Sequence, residues 1–231
     1  AERIPLTIAE RLDETIVLVV QAVGKSTRDL VASVPGDVVR DVVGPLGRPS
    51  ELVASGTAVC VAGGVGAAVM YPIARELAEL GVEVISVLGA RTAEHLVYTD
   101  RFAELGDVVV CTDDGSAGRR GLVTDALGDV LAVHHDAVVY TAGPVGMMRA
   151  VAELTRVPGV RTIASLNPIM VDGTGMCGGC RVTVGGEMRF ACVDGPEFDA
   201  HLVDFDELAD RLGTYRALEC GSLARSQGSE S

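Results

Sequence analysis

From Thr57 to Pro144 short apolar runs alternate with stretches in which apolar residues return every three or four positions. The runs are TAVCVAGG, VEVISVLGA, DVVVCTDDG and DAVVYTAGP, the first read as a buried strand and the others as further strands. Between the first two, AAVMYPIARELAELG has the period of an amphipathic helix, and helical segments are expected between the others. Strand–helix alternation over residues 51–155 predicts a doubly wound, Rossmann-like parallel sheet. Ahead of it IPLTIAERL and TIVLVVQAV read as strands, and GDVVRDVVGPLG as a third that ends in a Gly-Pro turn. Three strands alone leave open edges and a half-covered core. Either the chain enters inside a barrel or a partner covers it. After the sheet, residues 156–170 read as a connector ending in TIASLNPIM. A hairpin then precedes the turn VDGPEF and the short amphipathic helix FDELADRL. The expected divisions are residues 1–50, 51–160, 161–222 and a disordered tail, 223–231.

The chain has 231 residues, 48% of them hydrophobic, and a mean hydropathy of +0.34. No uncharged apolar run reaches spanning length, so no membrane insertion is expected. Ala1 to Glu10 carries charges and reads as strand rather than signal peptide. Six cysteines without an evident disulfide framework suggest a reducing, cytoplasmic setting. The net charge of −13 and the 3% aromatic content argue against nucleic acid as a partner.

The candidate chemistry concentrates in VDGTGMCGGCRVTVGGEMRFAC, Val171 to Cys192, which holds three of the six cysteines. Cys177 and Cys180 lie three apart on a Gly-rich loop, and the hairpin returns Cys192. Asp172 stands five residues before Cys177, where the plant-type [2Fe–2S] spacing C-x4-C-x2-C…C has its first thiolate. A carboxylate is anionic and binds iron through oxygen. Gly173, Gly175, Gly178 and Gly179 let the backbone wrap closely and aim N–H groups at sulfur. Zinc would take a similar tetrahedral set, but structural zinc sites usually show two paired elements and here there is one C-x-x-C. Structural thiols are the remaining reading. Cys60 and Cys111 fall inside strand patterns, as small core residues. Cys220 lies near the tail without visible partners.

Ligands of doubly wound sheets bind beyond the carboxyl ends of the strands. The loops there begin at Gly63, Gly89, Thr112 and Ala142. Gly64-x-Gly66 lacks the third glycine of the dinucleotide fingerprint but has its strand–loop–helix context. Arg91 meets either a nucleotide phosphate or solvent. Asp113 and Asp114 bind a ribose or cap the following turn. Met147 and Met148 open a helix and pack. Gly24-Lys25-Ser26-Thr27, before a helix start, suits either a pyrophosphate or an ordinary capped turn. His134 and His135 are expected at the surface, and His201 in a structural role.

Together these residues resemble the ferredoxin–NADP+ reductase-like flavoproteins. The likeness is to the small flavin- and iron–sulfur-containing subunits of NADH-dependent ferredoxin:NADP+ oxidoreductase and sulfide dehydrogenase. More distantly the chain is similar to the electron-transfer subunit of dihydroorotate dehydrogenase. The resemblance runs from Arg3 to about Tyr215 and is densest in SLNPIMVDGTGMCGGCRVTVGGEMRFACVDGPEFDAHLVDFDEL. It implies an α/β fold with a partial flavin-binding antiparallel β-barrel, a Rossmann-like NAD(P)-binding domain and a small [2Fe–2S] domain. Arg3, Leu6 and Thr7 would hold FAD, and Gly24, Lys25, Ser26 and Thr27 its pyrophosphate. Gly64, Gly66, Asp113, Asp114, Gly143, Pro144 and Met147 would line the NAD(H) or NADP(H) pocket, with Arg91 a candidate for a 2′-phosphate. Asp172, Cys177, Cys180 and Cys192 would be the cluster ligands. Relatives continue the glycine loop into a proline and carry a cysteine before Gly143-Pro144; here Ala68-Val69 and Ala142 stand there. They also have about fifty further residues ahead of Arg3, which complete the barrel. The chain is therefore expected to be a short form, a processed form or an incomplete chain.

The implied activity is hydride transfer from NAD(P)H to FAD, then release of single electrons to the cluster and to a larger flavoprotein or iron–sulfur partner, with ferredoxin reached through that subunit. No acid–base constellation is needed for it, and no catalytic His or Ser set is evident. The rival expectations are a structural or regulatory subunit of the same fold without flavin turnover, and a zinc-stabilised nucleotide-binding module.

Overall fold

The computed structural model describes residues 3–215, Leu218 and Gly221. The predicted tail at 223–231 and Cys220 lie outside the described residues. The chain opens with an antiparallel hairpin, β1 (Ile8–Leu12) and β2 (Thr15–Leu18), turned at Asp13 with a φ of 42°. Aspartate tolerates that left-handed region better than most residues. Helix α1 (Lys25–Val31) follows.

The expected third strand, GDVVRDVVGPLG, does not form. Val38 is 90% exposed and Val42 72%. A strand needs a neighbouring backbone to take its N–H and C=O groups, and none of the described residues offers one here. Pattern alone, without a pairing partner, could not make this segment a strand.

The central sheet begins with β3 (Thr57–Gly63) and passes through α2 (Gly66–Glu79) to β4 (Glu83–Ala90). A short turn of 3₁₀ helix and α3 (Thr99–Ala103) lead to β5 (Asp107–Thr112) and the two-residue edge β6 (Arg119–Arg120). Next come α4 (Val123–Val133), β7 (Val138–Ala142), α5 (Val145–Arg156) and β8 (Thr162–Ser165). The remaining elements are the hairpin β9 (Arg181–Val184) and β10 (Glu187–Phe190), α6 (Ala191–Asp194), β11 (Glu197–Asp199) and α7 (Phe205–Gly213).

The sheet order is β11-β8-β7-β3-β4-β5-β6, parallel except for β11 against β8. The expected connector thus contains a strand, because TIAS is buried throughout and pairs with β7. Four residues were too short a run to announce themselves. The sheet therefore runs past residue 160. It takes up β11, where Glu197 lies opposite Ser165.

Alternate residues of β3 feed opposite faces, as a strand's two-residue period requires. Ala58, Cys60 and Ala62 pack with Met70, Leu77 and Phe102 on the α2–α3 face, while Val59 and Val61 pack with Leu127 and Val151 on the α4–α5 face. A third cluster joins Met148 and Ala152 of α5 to Val182, Phe205 and Leu208. It seats the hairpin β9–β10 and α7 on the sheet's flank. The Gly185-Gly186 turn, with φ of 61° and 79°, is a two-residue type that matches strand twist.

Hairpin β1–β2 is tied to the sheet layer by Glu10, which is 6% exposed. Its carboxylate accepts from Arg101 Nη1 at 2.5 Å and from the Tyr98 hydroxyl at 3.2 Å. Tyr71 of α2 meets Tyr98 and Phe102 edge-on, with ring centroids at 5.2 and 5.5 Å. Phe102 is fully buried between these elements. Phe102→Ala is expected to cost about 3–5 kcal/mol, read from denaturant midpoints at unchanged m-value.

Candidate nucleotide cleft and cysteine loop

The chain leaves β3 to build β4, β5 and β6 on one side, then returns to place β7 and β8 on the other. The switch point therefore falls between β3 and β7, where open α/β sheets bind ligands. Two loops face each other there. One runs from Gly63 through Gly66 into α2, the other from Gly143 through Met147 into α5. They touch: a Cβ on Gly63 would stand 2.6 Å from Met147 Sδ and 2.9 Å from Pro144 Cδ. A Cβ on Gly66 would stand 2.4 Å from the Ala142 carbonyl oxygen. Only glycine at these positions lets the N-terminus of α2 press against β7. That sets the N-terminus of a fourteen-residue helix beside the switch point, a setting that favours anions. Met148 is buried and Met147 packs over Gly63, as the sequence suggested for both.

The other predicted residues on this face are more open. Arg91, Asp113 and Asp114 are exposed at the ends of β4 and β5. Asp114 Oδ1 accepts from the Ser116 hydroxyl at 2.6 Å and its N–H at 2.9 Å. The Ser116 hydroxyl, then its N–H, holds this carboxyl below the usual range. In the bare chain Asp114 thus caps its own turn. Gly63, where the sequence places the start of the first strand-end loop, is the last residue of β3 and touches Met147 and Pro144 of the facing loop.

On the hairpin side Arg3 and Thr7 are exposed and Leu6 half-buried. Gly24 caps α1, and Thr27 Oγ1 accepts from Gly24 N at 2.9 Å. Lys25 pairs with Asp29 at 3.0 Å, an exposed contact of little energetic weight. The Gly24–Thr27 turn is thus closed by its own hydrogen bonds.

The cysteine loop spans the gap between β8 and β9. Gly173, Gly175 and Gly178 have φ of 73°, 84° and 65°, a region closed to most side chains. Asp172 binds the loop from inside: Oδ2 accepts from Cys177 N at 2.7 Å and Oδ1 from Thr174 N at 2.9 Å. Thr174's N–H, aided by that of Cys177, holds the Asp172 carboxyl below its ordinary range, so it is anionic. Cys180 and Cys192 are buried with their sulfurs 3.1 Å apart, while Cys177 is exposed. Gly179 N donates to Cys177 Sγ at 3.4 Å, and Cys192 N to Cys180 Sγ at 3.5 Å. Burial, with the Cys180 thiol beside it, pushes Cys192 up to about 11, and the charge of Asp172 adds to the rise.

Among the described residues no three His, Cys, Asp or Glu groups are drawn tightly enough to hold one metal ion. The donors stand in two neighbouring pairs, Asp172 with Cys177 and Cys180 with Cys192. They fit an iron–sulfur centre by their chemistry. A carboxylate offers about four acceptor positions, so two N–H bonds leave room for iron. A thiol such as that of Cys192, raised by burial, is deprotonated outright by a bound cation. N–H groups already point at two of the sulfurs.

Two arginines grip the same loop from outside. Arg181 Nη1 donates to the Gly178 carbonyl at 2.8 Å, and Arg211 Nη2 of α7 to the Gly179 carbonyl at 3.1 Å. Neither had drawn attention in the sequence. Arg181 merely follows Cys180, and Arg211 arrives from 32 residues away.

A sheet switch point of the kind that binds nucleotides, with a cysteine–carboxylate loop on its flank, is the arrangement of a nucleotide-dependent redox protein. Residues 60–153 match the oxidoreductase NAD-binding domain, and residues 167–204 the iron–sulfur cluster binding domain of dihydroorotate dehydrogenase B. The chain is 50% identical, over 97% of its length and 80% of the relative's, to the dihydroorotate dehydrogenase B electron transfer subunit homolog of Thermotoga maritima. It is 41% identical to the electron transfer subunit of Bacillus caldolyticus, over 77% of this chain and 69% of that one. The chain belongs to the dihydroorotate dehydrogenase B electron-transfer-subunit family. A solved NADH-dependent reduced ferredoxin-NADP oxidoreductase, studied for flavin-based electron bifurcation, superposes with a TM-score of 0.90. The two are 48% identical over 98% of this chain and 83% of that one. A cytochrome P450 reductase of Amycolatopsis shares the fold at 23% identity and a TM-score of 0.50, over 66% of this chain and 52% of that one.

Burial pushes the Cys60 thiol up to about 12 and raises that of Cys111, whereas Cys177 is exposed. In cluster-free folded protein near pH 8, iodoacetamide is expected to modify Cys177 first and to leave Cys60 and Cys111 untouched. Mass spectrometry of the alkylated peptides reads the order; early labelling of Cys60 would contradict the buried strand.

Proposed function

We propose that this chain is an electron-transfer flavoprotein subunit. It passes electrons between NAD(P)H, FAD and a [2Fe–2S] cluster, in exchange with a larger flavoprotein or iron–sulfur partner. The observation that carries the reading is the joining, on one sheet, of a switch-point cleft and an Asp-x4-Cys-x2-Cys loop completed by Cys192. The relative solved as an NADH-dependent reduced ferredoxin-NADP oxidoreductase supports a ferredoxin:NADP+ type of exchange. A dihydroorotate dehydrogenase-type subunit is the second reading, favoured by the designation of the sequence relatives.

The roles divide by position. Residues 1–50 supply part of the flavin-binding barrel, 51–160 the nucleotide domain, and 161–222 the cluster domain with its helix. Gly64 and Gly66 let backbone N–H groups approach a pyrophosphate at the start of α2, and Gly143, Pro144 and Met147 form the facing wall. Asp113 and Asp114 receive ribose hydroxyls after the Ser116 contacts exchange, and Arg91 stands by for a phosphate. Arg3, Leu6 and Thr7 present strand and side chain to the flavin, and Gly24, Lys25, Ser26 and Thr27 hold its phosphates. Asp172, Cys177, Cys180 and Cys192 ligate the irons. A bound flavin supplies the conversion between two-electron nicotinamide and one-electron cluster chemistry. No helix among the described residues is long and apolar enough to cross a membrane. Retained free thiols suit a cytoplasmic setting.

Anaerobically purified protein, co-expressed with its partner, is expected to carry FAD, iron and sulfide, and to lose its flavin absorbance on addition of NADH. A loaded protein whose FAD ignores NADH would favour the structural or regulatory subunit instead. Stoichiometric zinc without iron would sink the reading. Asp172→Cys is expected to retain iron while shifting the midpoint potential. If it lost all iron, Asp172 would be a loop-capping residue rather than a ligand.

A further inference from the structure

The peptide bond is planar, so its carbonyl and N–H point to opposite sides. Arg181 fixes the carbonyl of Gly178 outward, and the N–H of the same peptide, on Gly179, then points inward to Cys177 Sγ. Arg211 holds the next carbonyl, that of Gly179. The two guanidiniums thus orient the C-x-x-C backbone while placing positive charge directly behind it. They differ in setting. Arg181 is exposed, so water and salt screen it. Arg211 is partly buried and comes from α7, whose Phe205 and Leu208 are anchored in the core. Its charge is held at a fixed place in a less polar medium, where it acts more strongly.

On this footing, and resting on the iron–sulfur reading above, we infer that Arg211 is a positioning residue that raises the reduction potential of the cluster, with Arg181 a weaker second. Three thiolates and one carboxylate make the oxidised centre anionic. Reduction adds one electron and one further negative charge, with no bond broken. A fixed cation stabilises the reduced form more than the oxidised form and so favours uptake of the electron. The grip on Gly179 decides where that cation sits. A long arginine free to swing into solvent would have little effect.

The test is an EPR-monitored redox titration of the loaded complex, with iron and sulfide assayed beside it. Arg211→Gln is expected to lower the reduced-to-oxidised ratio at fixed ambient potential about tenfold, which is about 59 mV for one electron. Arg181→Gln is expected to lower it about twofold or less, given its screening. Arg211→Lys keeps the charge and is expected to stay within about twofold of the unmodified protein. A loaded Arg211→Gln protein with an unshifted potential would overturn the inference, as would a Lys variant that falls as far as the Gln variant. Should Arg211→Gln fail to retain iron, Arg211→His decides. Its imidazole gains charge between about pH 8 and pH 6, so its potential must rise relative to the unmodified protein over that interval, and parallel curves would overturn the proposal. Absence of iron and sulfide from the unmodified complex is a different failure, since it removes the cluster reading and this inference with it.

Discussion

Everything at the strand ends depends on how closely two backbones approach. With a Cβ on Gly66 the Ala142 carbonyl oxygen would lie at 2.4 Å, well inside contact distance. Glycine there lets α2 begin against the end of β7, which brings the helix N-terminus to the crevice between β3 and β7. Gly63 and Gly143 repeat the constraint, each leaving room for Met147. The cleft is a product of missing side chains. Its walls are set by main chain, which moves less readily than rotamers.

The hairpin and the cysteine loop attach to this frame by different physics. Hairpin β1–β2 has little core of its own, with Ala9 and Glu10 its buried residues. Its hold on the sheet layer includes a buried carboxylate, met by one cation and one hydroxyl. Such a pair adds little net stability because desolvation offsets attraction, but it is selective about geometry. Arg101 also lies over the rings of Tyr71 and Tyr98, at 5.8 and 5.2 Å from their centroids. The cysteine loop is seated instead on apolar packing through β9 and α7. A polar latch specifies orientation on one side, and hydrophobic burial supplies the seat on the other.

The sequence disclosed most clearly what is periodic. The four sheet strands and α2 are legible because their apolar spacing follows the burial of strand and helix faces. The Asp172 and cysteine spacing was legible because ligation constrains neighbours along one loop. Strand β8 was missed because four buried residues carry no period. The expected strand near Val38 and Val42 failed for the converse reason, an apolar alternation without a partner backbone. Arg211 was invisible because its contact with Gly179 is made by folding, across 32 residues. Asp114 and Thr27 each admit two readings in the sequence, and the hydrogen bonds they make within their own turns are compatible with either.

Ser165 and Glu197 are paired across neighbouring strands, although the whole cysteine segment lies between them. The excursion therefore departs from the sheet and rejoins it at almost the same spot. Its two ends are clamped at one ladder spacing, about 5 Å. Lengthening or shortening such a detour leaves the register of the surrounding strands untouched, since entry and exit do not move. Topologically it is a removable cassette. A Rossmann-type reductase could gain or lose a metal-bearing segment at this seam with its nucleotide crevice intact.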